Sequence, residues 1–574
     1  MTGTLQISDR IWNAKYRWRD GNALMDNSIE DTWRRIAHAL AGVGKDEKWE
    51  SDFYSVLENF AFLPGGRIQA GAGTRHKVTL FNCFVMGSIE DSLSGIFDSL
   101  KEGAVTMQQG GGVGYDFSTL RPYGMQAHGV GMIASGPVSF MKIWDSMCGT
   151  ILSTGARRGA MMASLRCDHP DIMDFIEAKR DEKILRHFNL SVLASDEFMR
   201  AVRSDSEWPL VFPEGGELFR RVKAKALWER IVRAAYDCAE PGVIFIDRVR
   251  DMDNLSYCER VSATNPCGEI PLPPYGACDL GSINLTRFVK YPFTDKASID
   301  FEGLEKTAII AVRMLDNVYD LSHFPLPRQR QVAKSSRRLG LGLTGLADAL
   351  IMVNIRYGSK DARKIAGKIM KTITECAYAT SVELAREKGA FPLFSPEYLE
   401  GGFLRSLPGE IVKSIAKHGI RNSHLTAIAP TGTISLLANN VSSGLEPVYA
   451  LDYKRTIRQA DGSLDTVQVS DYAYRLFRHE MGGDESLPAS FVTVKDISPE
   501  EQLLMQAALQ KHVDNAISKT VYVPECEDFE SFASLYDQAY ELGLKGCTAF
   551  RPNPVTGQVL IEKAHCCSSE READ

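Results

Sequence analysis

The chain has 574 residues, 44% hydrophobic and 24% charged, with a formal net charge of −7. That composition describes a globular protein whose core is large enough to bury a reaction site. The acidic balance argues against a nucleic-acid scaffold, which carries a basic face. The first residues hold no apolar run of signal-peptide type, and no stretch of about 18 apolar residues offers a membrane span. A cytoplasmic protein is expected.

Residues 1–75 are predicted to be helical, because "SIEDTWRRIAHALAGV" and "FYSVLENFAFL" place apolar residues at helical spacing. From residue 76 short apolar runs alternate with longer amphipathic stretches. "VTLFNCFVM", "WPLVF", "GVIFID" and "HLTAIA" read as strands. "SLSGIFDSLKEGAVTMQQ", "ALWERIVRAAYDCA", "LEKTAIIAVRMLDNVYD" and "ARKIAGKIMKTITECAYATSVELAREKG" read as helices. This alternation predicts an α/β fold with a largely parallel sheet. No linker interrupts it, so one catalytic domain over 76–555 is expected, followed by a polar tail, 556–574.

Three glycine clusters differ in meaning. "GLGLTG" (Gly340, Gly342, Gly345) matches a dinucleotide-binding spacing, but polar, basic residues precede it where a buried strand is required. It reads as close helix packing. "QQGGGVGYDF" has four glycines in five residues, which suit either a sharp bend or a close approach of backbone to ligand. In "LTAIAPTGTISLLANN" an apolar strand runs into Pro430, Thr431, Gly432, Thr433 and Ile434 and then a helix. Such a junction is either an anion site or a capped turn.

The 12 cysteines form no C-x-x-C pair and no Cys/His spacing of a structural zinc site. In a long chain without a signal sequence they read as reduced, and redox or radical use is what remains. No metal site built from protein ligands is expected. One stretch concentrates the chemistry: "SATNPCGEIPLPPYGACDLGSINL", residues 262–285. Asn265, Cys267 and Glu269 alternate, so an extended backbone would turn all three to one side. Pro266 and Gly268 between them favour a tight loop. Taken alone, a turn around one buried cysteine accounts for the stretch.

Other stretches add to it. "NPCGE", Cys83 in "FNCFV", Cys278 in "GACDLGSINL", "APTGTISLL" and "SGPVSFMKIWD" together resemble the catalytic chain of ribonucleotide reductases. "HVDNAISKT", "VYVPE" and "GCTAFRPNPVTG" resemble the adenosylcobalamin-dependent class II branch. The resemblance covers nearly the whole chain in the family's order. It implies a ten-stranded α/β barrel with a central finger loop behind the helical N-terminal region. Cys267 matches the thiyl-radical cysteine, Glu269 the base at the ribose 3′-hydroxyl, and Asn265 the substrate-binding amide. Cys83 and Cys278 match the dithiol that closes to a disulfide as it reduces the substrate.

The same resemblance puts substrate phosphates on Pro430 to Ile434. It puts Asn82, Cys83 and Gly112 beside the sugar, with Asn265, Pro266 and Gly268 also binding substrate and Ser135 as a weaker substrate-site candidate. Asp91 and Arg121 fall where a deoxynucleotide effector would bind, and Arg157 and Arg158 where a communicating loop would lie, although these two could equally be a solvated basic pair. A homodimer, a nucleoside diphosphate substrate and a thioredoxin-like or small-thiol reductant are implied. Cys566 and Cys567 stand where the family has a spaced tail pair; they shuttle electrons, or the task falls to external thiols. Family motifs begin too early for an N-terminal ATP-sensing domain, so overall control by dATP is not expected.

Class I relatives pass a radical through adjacent tyrosines, where this chain has Thr548, Ala549 and Phe550. That favours adenosylcobalamin as cofactor over a metal-containing radical partner. The competing readings are a class I-type chain with an unusual relay and a nucleotide-binding paralogue without catalysis.

Overall fold

In the helix Ile29–Val43, Trp33, Ile36, Ala37, Leu40 and Ala41 fall on one stripe, and that stripe is buried, as a 3.6-residue repeat requires. It packs on the helix Lys48–Glu58 and on the long helix Phe301–Leu321, so the front of the chain is helical as expected. The computed structural model describes residues 6–21, 23–43, 48–126, 133–153, 157–181, 184–458, 464–483 and 485–552.

A ten-stranded mixed sheet forms the centre. Its strands are β1 (Phe62–Pro64), β2 (Cys83–Val85), β3 (Gly112–Asp116), β4 (Met161–Arg166) and β5 (Phe188–Ala194), then β6 (Gly242–Phe245), β7 (Ala277–Asn284), β8 (Leu339–Thr344), β9 (Thr520–Tyr522) and β10 (Gly546–Phe550). The order is β8-β7-β2-β3-β4-β5-β6-β10-β9, with β1 on β7. Strands β2 to β6 are mutually parallel. β7 meets β2 antiparallel, β10 meets β6 antiparallel, and β7 with β8 and β9 with β10 are parallel.

The two edges of this sheet are joined by residues 425–429. Leu341 bridges Thr426 and Ile428 bridges Ile517, both parallel, and Ile517 leads directly into β9. The Leu341 N–H donates to the Leu425 carbonyl at 2.9 Å, and the Ser518 N–H to the Ile428 carbonyl at 2.9 Å. Two parallel half-sheets, β2–β6 and β7–β8–(425–429)–β9–β10, thus close on each other as a barrel. Closure removes the free strand edges that an open sheet would expose.

"GLGLTG" departs from its sequence reading. It is β8, wholly buried, and the polar stretch before it is the helix Pro327–Ser336 on the outside. Its glycines admit a neighbouring strand rather than a helix: a Cβ on Gly342 would stand 2.2 Å from the Ala427 carbonyl oxygen. "QQGGGVGYDF" supplies β3, and there the glycines admit the barrel's own contents. A Cβ on Gly114 would stand 1.8 Å from the Thr264 carbonyl oxygen. Gly114→Ala is therefore expected to cost about 1–3 kcal/mol by overpacking and to lower turnover by displacing the loop that carries Cys267, as denaturant melts and activity assays would show. "WPLVF" is a strand, Glu207–Phe212, but it pairs with Glu217–Lys223 in a separate hairpin.

Candidate active site

Between the helix Ile246–Asp251 and β7 the chain leaves the barrel wall and enters its interior. Ala263–Thr264 pairs antiparallel with Pro271–Leu272, and the residues between them form a tight turn. The Asn265 N–H bonds to the Ile270 carbonyl at 3.1 Å, and the Gly268 N–H to the Asn265 carbonyl at 3.1 Å. Gly268 has φ +83°, a left-handed conformation that suits glycine. Both half-barrels hold the turn: Asn189 Nδ2 donates to the Pro266 carbonyl at 2.8 Å, and the Ala516 N–H to the Glu269 carbonyl at 2.9 Å. The stretch is thus a finger loop with Cys267 at its tip.

Asn265, Cys267 and Glu269 all line one small cavity, together with Asn82, Cys83, Gly112 and Pro266. The alternation works although the backbone is a turn. Asn265 Nδ2 donates to Cys83 Sγ at 3.2 Å, and Cys83 Sγ reaches Glu269 Oε1 at 3.9 Å. The Ile270 N–H fixes the Asn265 amide by donating to its Oδ1 at 2.9 Å. Glu269 Oε2 is buried without a hydrogen-bond partner among the described residues.

Register places Cys278 directly opposite Cys83 across the antiparallel β7–β2 pair. Facing residues in such a pair have Cα atoms about 4.5–5.5 Å apart, within disulfide range. Both are thiols here. Cys83 lines the cavity, whereas Cys278 is fully buried behind it and donates to the Asp279 carbonyl at 3.3 Å.

Burial pushes the Glu269 carboxyl up to about 7, against the hydrogen bonds from Asn265 and Cys83 that favour its charge. Burial also raises both thiols well above the ordinary cysteine value; Glu269 adds to this at Cys83 and Asp279 at Cys278. The site therefore holds protonated thiols beside a carboxyl that changes charge near neutral pH.

Pro430, Thr431 and Ile434 line the other side of the cavity. Thr431 sits at φ +56°, and its hydroxyl accepts from the Gly444 N–H at 2.7 Å instead of capping its own helix. Gly432 and Thr433 begin the helix Gly432–Leu437 and are not part of the lining. Ser135 is exposed just before the helix Pro137–Thr150 and is not in the lining of this cavity. Sequence reasoning missed Gly65, Gly66, Gly281 and Ser282 in the lining. The "PGG" at 64–66 was the available signal, since the Gly65 N–H bonds to the Leu280 carbonyl at 2.8 Å.

A second cavity, of ≈ 920 Å³, opens beyond the finger tip. Cys267, Pro266 and Pro430 line both cavities. Gly268, Ser435, Ser443, Glu446 and Lys519 line the large one, as do Thr548, Ala549 and Phe550, and among the described residues no histidine does. The tip cysteine thus stands between a small cleft, mostly apolar in its lining, and a large chamber.

Away from the centre, Arg121 Nε pairs with Asp91 Oδ2 at 2.7 Å. Arg157 and Arg158 pair with Ser153 and Leu152 in a short hairpin; their side chains lie outside the described residues, as do Cys566 and Cys567. Among the described residues no helix is long and apolar enough to cross a membrane.

Residues 81–550 match the family model "Ribonucleotide reductase, barrel domain", and residues 6–77 match "Ribonucleotide reductase, all-alpha domain". The chain belongs to the ribonucleotide reductase large-chain family. It is 38% identical, over 96% of its own length and 80% of the relative's, to the vitamin B12-dependent ribonucleoside-diphosphate reductase of Mycobacterium tuberculosis (strain CDC 1551 / Oshkosh). The protein of that name from Thermoplasma acidophilum is 37% identical over 93% of this chain and 69% of the relative. The ribonucleoside-diphosphate reductase subunit alpha of Chlamydia pneumoniae is 27% identical over 98% of this chain and 60% of the relative. Within this oxidoreductase family the finger loop, the facing thiols and the buried carboxyl fall inside the matched barrel domain.

Proposed function

We propose that this chain reduces ribonucleoside diphosphates to 2′-deoxyribonucleoside diphosphates by a thiyl-radical mechanism, with adenosylcobalamin as cofactor and no metal-bearing partner subunit. The observation that carries the reading is that Cys267 lines both cavities. The larger chamber fits a corrinoid in size and in its mixed polar and apolar wall, and among the described residues it offers no histidine to cobalt. Ser435, Ser443, Glu446 and Lys519 would hold the cofactor's polar periphery. When bound there, adenosylcobalamin supplies a carbon-centred radical on homolysis of its cobalt–carbon bond.

Cys267 then gives up its thiol hydrogen atom and, as a thiyl, takes the hydrogen atom from ribose C3′. Glu269 accepts the 3′-hydroxyl proton while Asn265 holds the sugar. The 2′-hydroxyl leaves as water with a proton from the Cys83–Cys278 pair. That pair supplies two electrons and closes to a disulfide, its second hydrogen going to C2′; Glu269 returns its proton to the 3′-oxygen, and Cys267 returns its hydrogen to C3′. Pro430 to Ile434 would receive the phosphates, with Asn82, Cys83 and Gly112 beside the sugar.

The Asp91–Arg121 pair and the paired strands Leu152–Ser153 and Arg157–Arg158 are read as the effector region. The exposed Leu93 and Phe97 on the neighbouring helix Leu93–Gln108 suit a homodimer face. Differential contacts by effector and substrate would make that region allosteric.

The deciding experiment is conversion of CDP to dCDP by the purified chain with adenosylcobalamin, dithiothreitol and a deoxynucleotide effector. Cobalamin-dependent turnover is expected; turnover only with a second, metal-containing subunit would overturn the reading. For the tail, replacing Cys566 and Cys567 with serine is expected to abolish thioredoxin-supported turnover and spare dithiothreitol-supported turnover. Equal activity with both reductants would exclude the shuttle.

A further inference from the structure

The Cys83–Cys278 row continues across the barrel wall. Asp279 pairs with Leu339 in the parallel β7–β8 register, so Arg338, one residue earlier, stands beside Cys278 on the same face of the sheet. On the next segment the Leu339 N–H bonds to the His424 carbonyl at 2.9 Å. The row thus reads Cys83, Cys278, Arg338, His424.

Arg338 is 1% exposed, and a buried guanidinium persists only when it is paired. Its partners come from the base of the finger loop. Nη1 donates to Glu259 Oε2 at 3.3 Å, Nη2 also meets Glu259 Oε1, and Nη2 lies 3.4 Å from Asp253 Oδ1. Asp253 in turn lies 3.1 Å from His424 Nε2. Arg338 Nε is buried and has no hydrogen-bond partner among the described residues. One donor of the guanidinium is therefore uncommitted. The charge is also felt at the thiol: burial and Asp279 push Cys278 up, and Arg338 pulls it back down.

The two sulfurs are not equivalent to an incoming reductant. Cys83 lines the cavity and Cys278 does not. An external thiolate therefore meets Cys83, and Cys278 is the sulfur that must leave.

We propose that Arg338 is a positioning residue for the reductive half of the cycle: its guanidinium stabilises Cys278 as the departing thiolate when a dithiol reductant attacks Cys83. This rests on the dithiol reading above. The reductant's thiolate forms a bond to Cys83 Sγ, the Cys83–Cys278 bond breaks, and its electron pair stays on Cys278 beside Arg338. The reductant's second thiolate then attacks the mixed disulfide at the reductant's own sulfur and releases Cys83. Both cysteines take up the protons shed by the two reductant thiols, and the reductant leaves as a disulfide. A better-stabilised leaving thiolate departs faster.

The test follows thiol–disulfide exchange itself and needs neither nucleotide nor cobalamin. The full chain is oxidised with diamide, the Cys83–Cys278 linkage is identified by peptide mapping, and its reduction by dithiothreitol is timed by differential alkylation. Arg338→Gln is expected to slow reduction at least about tenfold, whereas Arg338→Lys, which keeps the charge, stays within about threefold of the parent. Glu259→Gln removes a countercharge and is expected to speed reduction. A merely structural role for the cluster would slow all three, and that result overturns the inference. So does a parent-like rate in Arg338→Gln. Should that variant fail to fold, the opposite sign expected of Glu259→Gln still decides. Failure of the parent chain to form any Cys83–Cys278 disulfide would instead sink the dithiol reading on which the inference stands.

Discussion

Cys267→Ser is expected to remove deoxynucleotide formation, by at least about a thousandfold, with the fold unchanged. A loss of that size is what removing the one atom that does the chemistry produces. The substitution exchanges sulfur for oxygen at a half-exposed position on the finger tip, where a change in stability of about 0.5 kcal/mol or less is expected. An oxygen–hydrogen bond is too strong to serve as the hydrogen-atom source, whereas the pocket, the facing thiols and Glu269 remain in place. Product analysis with CDP or with the other nucleotides would show the loss. The Cys83–Cys278 pair should still form its disulfide under diamide, which separates a lost radical site from a collapsed barrel. Full activity in this variant would overturn the mechanism.

Glu269→Gln should trade activity for stability, with a sign set by burial. The carboxyl is 1% exposed and pushed up to about 7 by that burial. In the unfolded chain it titrates near the ordinary 4.5. The native state therefore binds this proton more tightly. The resulting stability is fully present below about pH 4.5 and is lost as pH rises through about 7, a change of about 3 kcal/mol.

Glutamine has no charge to desolvate, so the variant should be more stable than the parent by up to about 3 kcal/mol at pH 8 and by little at pH 5. Denaturant melts at the two pH values measure this. Turnover should fall about 10²–10⁴-fold through loss of the base. The parent's rise in activity through pH 7, as the carboxylate forms, should flatten. Equal stability at both pH values, or activity within tenfold of the parent, would show that Glu269 is not a buried base.

Much of the periphery was legible in the sequence because its signals are local. The helices Ile29–Val43, Ala224–Cys238, Phe301–Leu321 and Lys360–Lys388 carry apolar stripes that a 3.6-residue repeat exposes to inspection. Several barrel strands were not legible in this way. β4, β7 and β8 are buried on both faces and show no alternation, as parallel sheets covered on both sides require. β8 was misread because its glycines serve a neighbour that lies far away in sequence: Ala427 and Leu280 fill the space where their side chains would be.

The site divides along the same line. Asn265, Cys267 and Glu269 are neighbours in the chain, so their alternation alone placed them together, and motif resemblance named Cys83 and Cys278. By itself the sequence determined the helical stripes, the tight turn at Pro266 and Gly268, and the residue types the chemistry needs. Only the tertiary structure decided that Cys83 faces Cys278, that Glu269 loses water and rises to about 7, and that Cys267 stands between two cavities. It also decided that the "RR" at the end of a stretch read as polar and basic places Arg338 in the core beside a thiol. The physical reason is that helix periodicity and turn geometry arise within a few residues. Strand register, burial and the charges that burial perturbs arise between segments that meet only when the barrel closes.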